Sequence, residues 1–216
     1  MKMRMCRGFL IIVMLLFLLG SQVNAQGNDF VPIKDVAAFK ERMKATAAKT
    51  TSFVADFQQE KTLIALTEKI TSTGKFWYKK TNKVRMEYVK PFSYRMIING
   101  DKIHIKDSQK DYAVNAGSNK LFQQINRIMV DCVQGTILEN KDFKSRVLEG
   151  KNSYRVELIP ISKGLKDFYS SIVLNLSKEE LTINTIEMNE SGDDKTIMYF
   201  KNIRINAPVE ESVFVP

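Results

Sequence analysis

The chain has 216 residues, a formal net charge of +9, 44% hydrophobic side chains, two cysteines and a single histidine. Two cysteines exclude a disulfide-built scaffold, and one histidine leaves zinc chemistry short of ligands. The basic excess runs from Lys34 to Lys201 without a dense stripe or a recognition motif, so no nucleic-acid partner is expected.

Lys2, Arg4 and Arg7 precede eleven apolar residues, Phe9 to Leu19, and Val23-Asn24-Ala25 follows as a small-residue cleavage pattern. This is the layout of a secretory signal peptide, and the run is short of the ~20 residues that span a bilayer. Residues 1–25 are therefore expected to be a leader, with a single domain over 26–216 beginning near Gln26. Cys6 precedes the apolar run, and no cysteine stands near Ala25 to carry a lipid. Cys132 is then the one remaining thiol, expected as a small buried hydrophobe on a helix.

Residues 34–49 read as an amphipathic helix with Val36, Phe39, Met43 and Ala47 on its apolar stripe and Pro32 near its start. Period two follows. Phe53, Ala55 and Phe57 alternate with polar neighbours, and Gly74 to Tyr78 makes a second strand before a turn at Thr81-Asn82. Phe76, Trp77 and Tyr78 are consecutive, so alternation does not decide which way Trp77 points. Val84, Met86 and Tyr88 share one face of the next strand. After Pro91, Phe92, Tyr94, Met96 and Ile98 share a face, and Asn99-Gly100 turns the chain into Ile103 and Ile105. Tyr112 to Val114 closes this meander.

From Lys120 to Val133 the period changes. Leu121, Phe122, Ile125, Ile128, Met129, Cys132 and Val133 fall mostly on one helical face. Strands resume with Tyr154, Val156 and Leu158 up to Pro160, then Ser171 to Leu176, Leu181 to Met188 and Thr196 to Phe200. Asn202 to Ile205 either lengthens the last strand or forms its own. The expected total is nine to eleven strands, one amphipathic helix in front and one apolar-faced helix in the middle. A sheet of that size closes, curls or is covered. Periodicity alone leaves a filled core and a ligand cavity equally open.

Catalysis finds little support. His104 lies in a strand with its side chain opposite to Ile103 and Ile105, where exposure beside a turn is the plain reading. No nucleophile elbow accompanies it. Glu87, Asp101, Glu157 and Glu187 each have an ordinary place on the polar side of a strand, and the scattered glycines form no phosphate loop. We expect no enzyme, no metal and no cofactor.

The order of segments resembles the periplasmic outer-membrane lipoprotein carrier family, the LolA-like proteins. The resemblance rests on Ser52 to Gln59 after an opening helix, Gly74-Lys75-Phe76-Trp77-Tyr78, then Arg85, Tyr88 and Pro91, and Asn99-Gly100-Asp101. It continues through Tyr154 to Pro160, Ser191 to Thr196, Phe200 to Asn206 and Phe214-Val215-Pro216. It implies a mainly β fold: an incompletely closed antiparallel barrel, or half-barrel, covered by an α-helical lid. It also implies a monomeric periplasmic carrier that shields the acyl chains of lipoproteins. Its partners would be acylated lipoproteins, an inner-membrane lipoprotein-releasing exporter and an outer-membrane acceptor. Related folds carry lipids or glycolipids, or sense lipoproteins without transporting them. By the same resemblance Arg85 is the lid-contact candidate, bonding helix-end backbone. Its setting departs from the family pattern, with Lys80-Thr81 and Val84-Arg85-Met86 where an arginine-proline pair and aromatic neighbours are usual. The acyl-cavity candidates are Phe76, Tyr78, Met86, Phe92, Tyr94, Met96, Ile98, Leu121, Ile125, Ile128 and Met129.

Overall fold

The computed structural model describes residues 30–80, 82–115, 127–128 and 130–216. The expected leader and its cleavage site lie outside them, as do the candidates Leu121, Ile125 and Met129.

A two-residue strand β1 (Val31–Pro32) leads into helix α1 (Val36–Lys49). The helix starts at Val36, two residues later than expected. Asp35 is extended and its carboxylate accepts from the Ala38 N–H at 2.9 Å, satisfying one of the free donors of the first turn. Pro32 instead sits in the edge strand, where a residue without an N–H is tolerated. Phe39 and Met43, one helical turn apart, are the two residues of α1 that become buried.

Strands β2 (Ser52–Leu63) and β3 (Glu68–Lys79) form a hairpin paired along its whole length, from Ser52 opposite Lys79 to Leu63 opposite Glu68. A 3-10 turn at Ile64–Leu66 closes it, with Thr67 in the left-handed region at φ 54°. Then come β4 (Lys83–Lys90), β5 (Tyr94–Asn99), β6 (Lys102–Lys106) and β7 (Asp111–Asn115). Residues 127–128 and 130–133 are helical, and a 3-10 turn follows at Ile137–Glu139. The second meander comprises β8 (Phe143–Glu149), β9 (Ser153–Pro160), a four-residue helix α2 (Lys163–Lys166), β10 (Tyr169–Ser177), β11 (Ile183–Glu190) and β12 (Lys195–Ile205).

The twelve strands of the described residues belong to one antiparallel sheet, ordered β1-β8-β9-β10-β11-β12-β2-β3-β4-β5-β6-β7. The last strand returns beside the second, so the two meanders join at the middle of the sheet. The outer strands β1 and β7 do not meet, and the sheet stays open, as an incompletely closed barrel requires. Asn202 to Ile205 continues β12 past a bulge between Lys201 and Arg204, and bulges bend the strand that carries them. A second irregularity, at Thr73/Gly74 against β4, fixes a glycine. A Cβ on Gly74 would meet the Glu87 carbonyl at 2.1 Å and the Phe57 ring at 2.5 Å.

The inner face carries two apolar clusters. One gathers Val147, Val156, Leu158, Ile172, Leu174 and Leu176 from β8–β10 against Phe39 and Met43 of α1, Ile137, Leu138 and Leu165. The other gathers Phe57, Phe76, Tyr78, Val84, Met86, Met96, Ile98, Ile103 and Ile105 from β2–β6 with Met198 of β12. Each fully buried side chain of this kind contributes about 1.5–3 kcal/mol. Ile186 packs against both clusters. On the outer face the final 3-10 turn, Glu211–Phe214, packs on β4 and β5 and buries Phe214.

Candidate functional site

Between the two clusters lies a cavity of about 590 Å³. Strand alternation and register build its floor. Phe76 opposite Met86 and Met86 opposite Met96 make one cross-strand row, and Phe53 and Phe200 stand beside Phe76 with ring centroids 5.9 and 5.8 Å away. Met198, opposite both Gln59 and Ile186, carries the floor into the second meander. The cover comes from Met43, Thr46 and Ala47 of α1 and Thr50 at its C-terminal cap, with Ile128, Cys132 and Val133 of the short helix. Among the described residues five methionines line the space: Met43, Met86, Met96, Met188 and Met198. Unbranched thioether side chains repack around irregular apolar shapes at low cost. Water-exposed polar chemistry is scarce here, so the surroundings suit hydrocarbon better than an ionic ligand.

The electrostatics agree. Burial pushes the Cys132 thiol up to about 12, consistent with an inert apolar position at the cavity wall. Burial also raises the Tyr88 phenol, and its hydroxyl donates to Gln59 Oε1 at 2.7 Å. Among the described residues no group of three or more His, Cys, Asp or Glu side chains could hold a metal ion. None of the described helices is long and apolar enough to cross a membrane.

The candidates from sequence divide by position. Phe76, Met86, Met96 and Ile128 line the cavity. Tyr78 and Ile98 belong to the same inner face but sit in filled core, 3% and 1% exposed. Tyr94 is part-buried there, with its ring 5.8 Å from Tyr88. Phe92 lies in the bend before β5, half exposed and stacked 5.7 Å from Tyr88, because Pro91 and Phe92 precede the strand whose alternation would have turned it inward. Trp77 points outward, between the inward Phe76 and Tyr78.

Arg85 stands apart from the cover. It alternates with Val84 and Met86 and therefore faces outward, where it stacks on Trp77 at 5.5 Å and binds Glu87 at 2.6 Å. It does bond helical-turn backbone, donating from Nη1 to the Val213 carbonyl at 3.1 Å, but that turn is the C-terminal one on the opposite side of the sheet. The arginine that reaches backbone from the cover is Arg42 of α1, which donates to the carbonyls of Lys178 and Glu179 at the β10–β11 turn. His104, expected exposed, is largely covered and stands with Nε2 2.8 Å from Asp111 Oδ1.

Phe53, Ile186, Met188, Met198 and Phe200 line the cavity without having been singled out in sequence. Alternation marks each as inward. The missing signal was strand order: nothing local says that β12 lies beside β2.

The family model for the outer membrane lipoprotein carrier protein LolA matches residues 48–216. An outer-membrane lipoprotein carrier protein from Chromohalobacter salexigens is 22% identical over 174 residues, covering 81% of this chain and 80% of that protein. Among solved structures, a LolA superfamily protein from Nitrosomonas europaea aligns with a TM-score of 0.45 at 8% identity, over 82% of this chain and 97% of its own. The MucA/MucB complex of Pseudomonas aeruginosa gives 0.47 at 11% identity, over 83% and 60%. The lipoprotein LppX of Mycobacterium tuberculosis gives 0.42 at 14%, over 80% and 96%.

Proposed function

Since the chain belongs to the LolA family, whose model spans residues 48–216, we propose that it is a periplasmic carrier that holds the acyl chains of lipoproteins in the inner cavity and moves them from the inner toward the outer membrane. The observation that carries this reading is the methionine- and aromatic-lined space between sheet and helices. Burying one methylene is worth about 0.8 kcal/mol, so a chain of ~16 carbons offers roughly 12 kcal/mol of gross transfer from water. Ordering the chain and rearranging the wall reduce that sum, which suits a protein that must also let go. In this role an inner-membrane lipoprotein-releasing exporter supplies the cargo and an outer-membrane acceptor takes it. The protein works by binding, with no chemical step.

The test is native mass spectrometry of the purified protein after incubation with a di- or triacylated lipoprotein, beside the same lipoprotein stripped of its acyl chains. The carrier reading expects a one-to-one complex that depends on acylation. Uptake of free lipids or glycolipids with no lipoprotein complex would replace it by an envelope lipid carrier. Binding that ignores acylation would point to a sensing or interaction domain.

A further inference from the structure

At one end of the inner face the apolar floor gives way to polar side chains in strict register. Gln59 opposes Met198, and two residues further along the same strands Lys61 opposes Thr196. Thr196 in turn opposes Met188 of β11, and Glu190 follows two residues later on that strand. Met188 and Met198 line the cavity, so the polar group begins one cross-strand pair beyond its wall. Lys61 Nζ donates to both carboxylate oxygens of Glu190, at 2.9 and 3.2 Å, and the Thr196 hydroxyl donates to Glu190 Oε1 at 3.1 Å. Nearer the cavity, the Tyr88 hydroxyl engages the Gln59 oxygen and leaves the amide nitrogen of Gln59 as the group offered to a ligand.

We propose that this end is the head-group subsite, and that it selects acyl ligands with an uncharged amide or ester head over those ending in a carboxylate or phosphate. The inference rests on the carrier reading and adds its specificity. Three features support it. The subsite adjoins the cavity along continuous strands, so a chain lying on the floor delivers its head there. Lysine and carboxylate neutralise each other, so an incoming anion finds no free cation and meets Glu190. The remaining donors, the amide N–H of Gln59 and the third ammonium hydrogen of Lys61, match carbonyl acceptors. Lys61 and Glu190 side chains are 34% and 27% exposed, open enough for a ligand and close enough to the apolar wall to strengthen their field.

The experiment uses a matched pair of probes, N-palmitoylglycine and its N-methylamide, which share one chain and differ in head charge. Both are measured by displacement of a fluorescent fatty-acid probe from the full exported chain. The wild type is expected to bind the amide at least as tightly as the acid. Glu190→Gln frees Lys61 and should move the acid-to-amide affinity ratio about tenfold toward the acid. Lys61→Met exposes Glu190 and should move it the other way. Glu60→Gln, next in sequence but on the opposite face beside Lys69, should leave the ratio unchanged. A second arm needs no variant: a palmitoyl probe with a photoreactive group at its head should label the segments containing Gln59–Lys61 and Glu190–Thr196. A ratio that stays within twofold in both charge variants, or labelling confined to the α1 and β10–β11 end, overturns the subsite. Failure of both probes to bind the folded wild type overturns the carrier reading itself.

Discussion

Replacing Arg42 by alanine tests how the cover is held. Phe39 and Met43 dock α1 through burial, at about 1.5–3 kcal/mol each. Arg42 adds two hydrogen bonds to the carbonyls of Lys178 and Glu179 and lies 5.9 Å from the Tyr154 ring centroid. A charge-assisted hydrogen bond contributes about 1.5–3 kcal/mol when shielded, and at an exposed site about half or less. With about 0.5 kcal/mol for the exposed cation–π contact, the substitution should cost the local docking of α1 about 1–2 kcal/mol. The population in which α1 is undocked then rises roughly 5- to 30-fold. Amide hydrogen exchange reads this directly, because local openings need not involve the whole molecule. The α1 amides should exchange faster by that factor while those of β9 and β10 keep the wild-type rate. Unchanged exchange in α1, or equal acceleration everywhere, would refute the reasoning that Arg42 pins the cover independently of the core.

Gly74→Ala places a Cβ 2.1 Å from a backbone oxygen that cannot rotate away. A cost of about 2–3 kcal/mol, or roughly 4–12 °C in Tm, is expected, and a Tm within 1 °C of wild type would contradict it. Arg85→Leu removes the bond to the Val213 carbonyl and the Glu87 pair. It should speed amide exchange in the C-terminal turn and leave acyl-probe affinity within twofold, whereas a changed release rate would return Arg85 to the cover. Lys79 and Lys83 hold the Glu211 carboxyl down at about 2, well below its ordinary value. With the folded pKa depressed, this stabilisation is complete above the unfolded value of about 4.3 and disappears as pH falls through about 2. The Tm difference between wild type and Glu211→Gln should therefore shrink from pH 5 to pH 2, and a constant difference would exclude the linkage.

Much of this architecture is legible in the sequence because inward and outward residues alternate cleanly. Val84, Met86 and Tyr88, or Tyr154, Val156 and Leu158, announce both strand and face. The distal halves of β2 and β3 escape notice since Gln59 to Thr62 are polar on both sides and Glu68 to Thr73 carry a single apolar residue, Ile70, too little for a contrast of period two. Their pairing depends on the hairpin as a whole. Arg85 shows the limit of a family pattern: its neighbours Val84 and Met86 already commit it to the outer face, and only the position of the C-terminal turn says what it meets there. The cavity is half-readable. Phe76, Met86 and Met96 follow from alternation, while Met198 and Phe200 join them only because the last strand closes beside β2. Non-local order of that kind leaves no local trace.

The account stands most directly on how affinity grows with chain length. For a series of probes with one head group and chains of 10, 12, 14 and 16 carbons, insertion into the cavity predicts about fourfold tighter binding for each added methylene, the equivalent of ~0.8 kcal/mol. An affinity that does not change along the series would mean that the chains remain in water, and the cavity would have no part in binding.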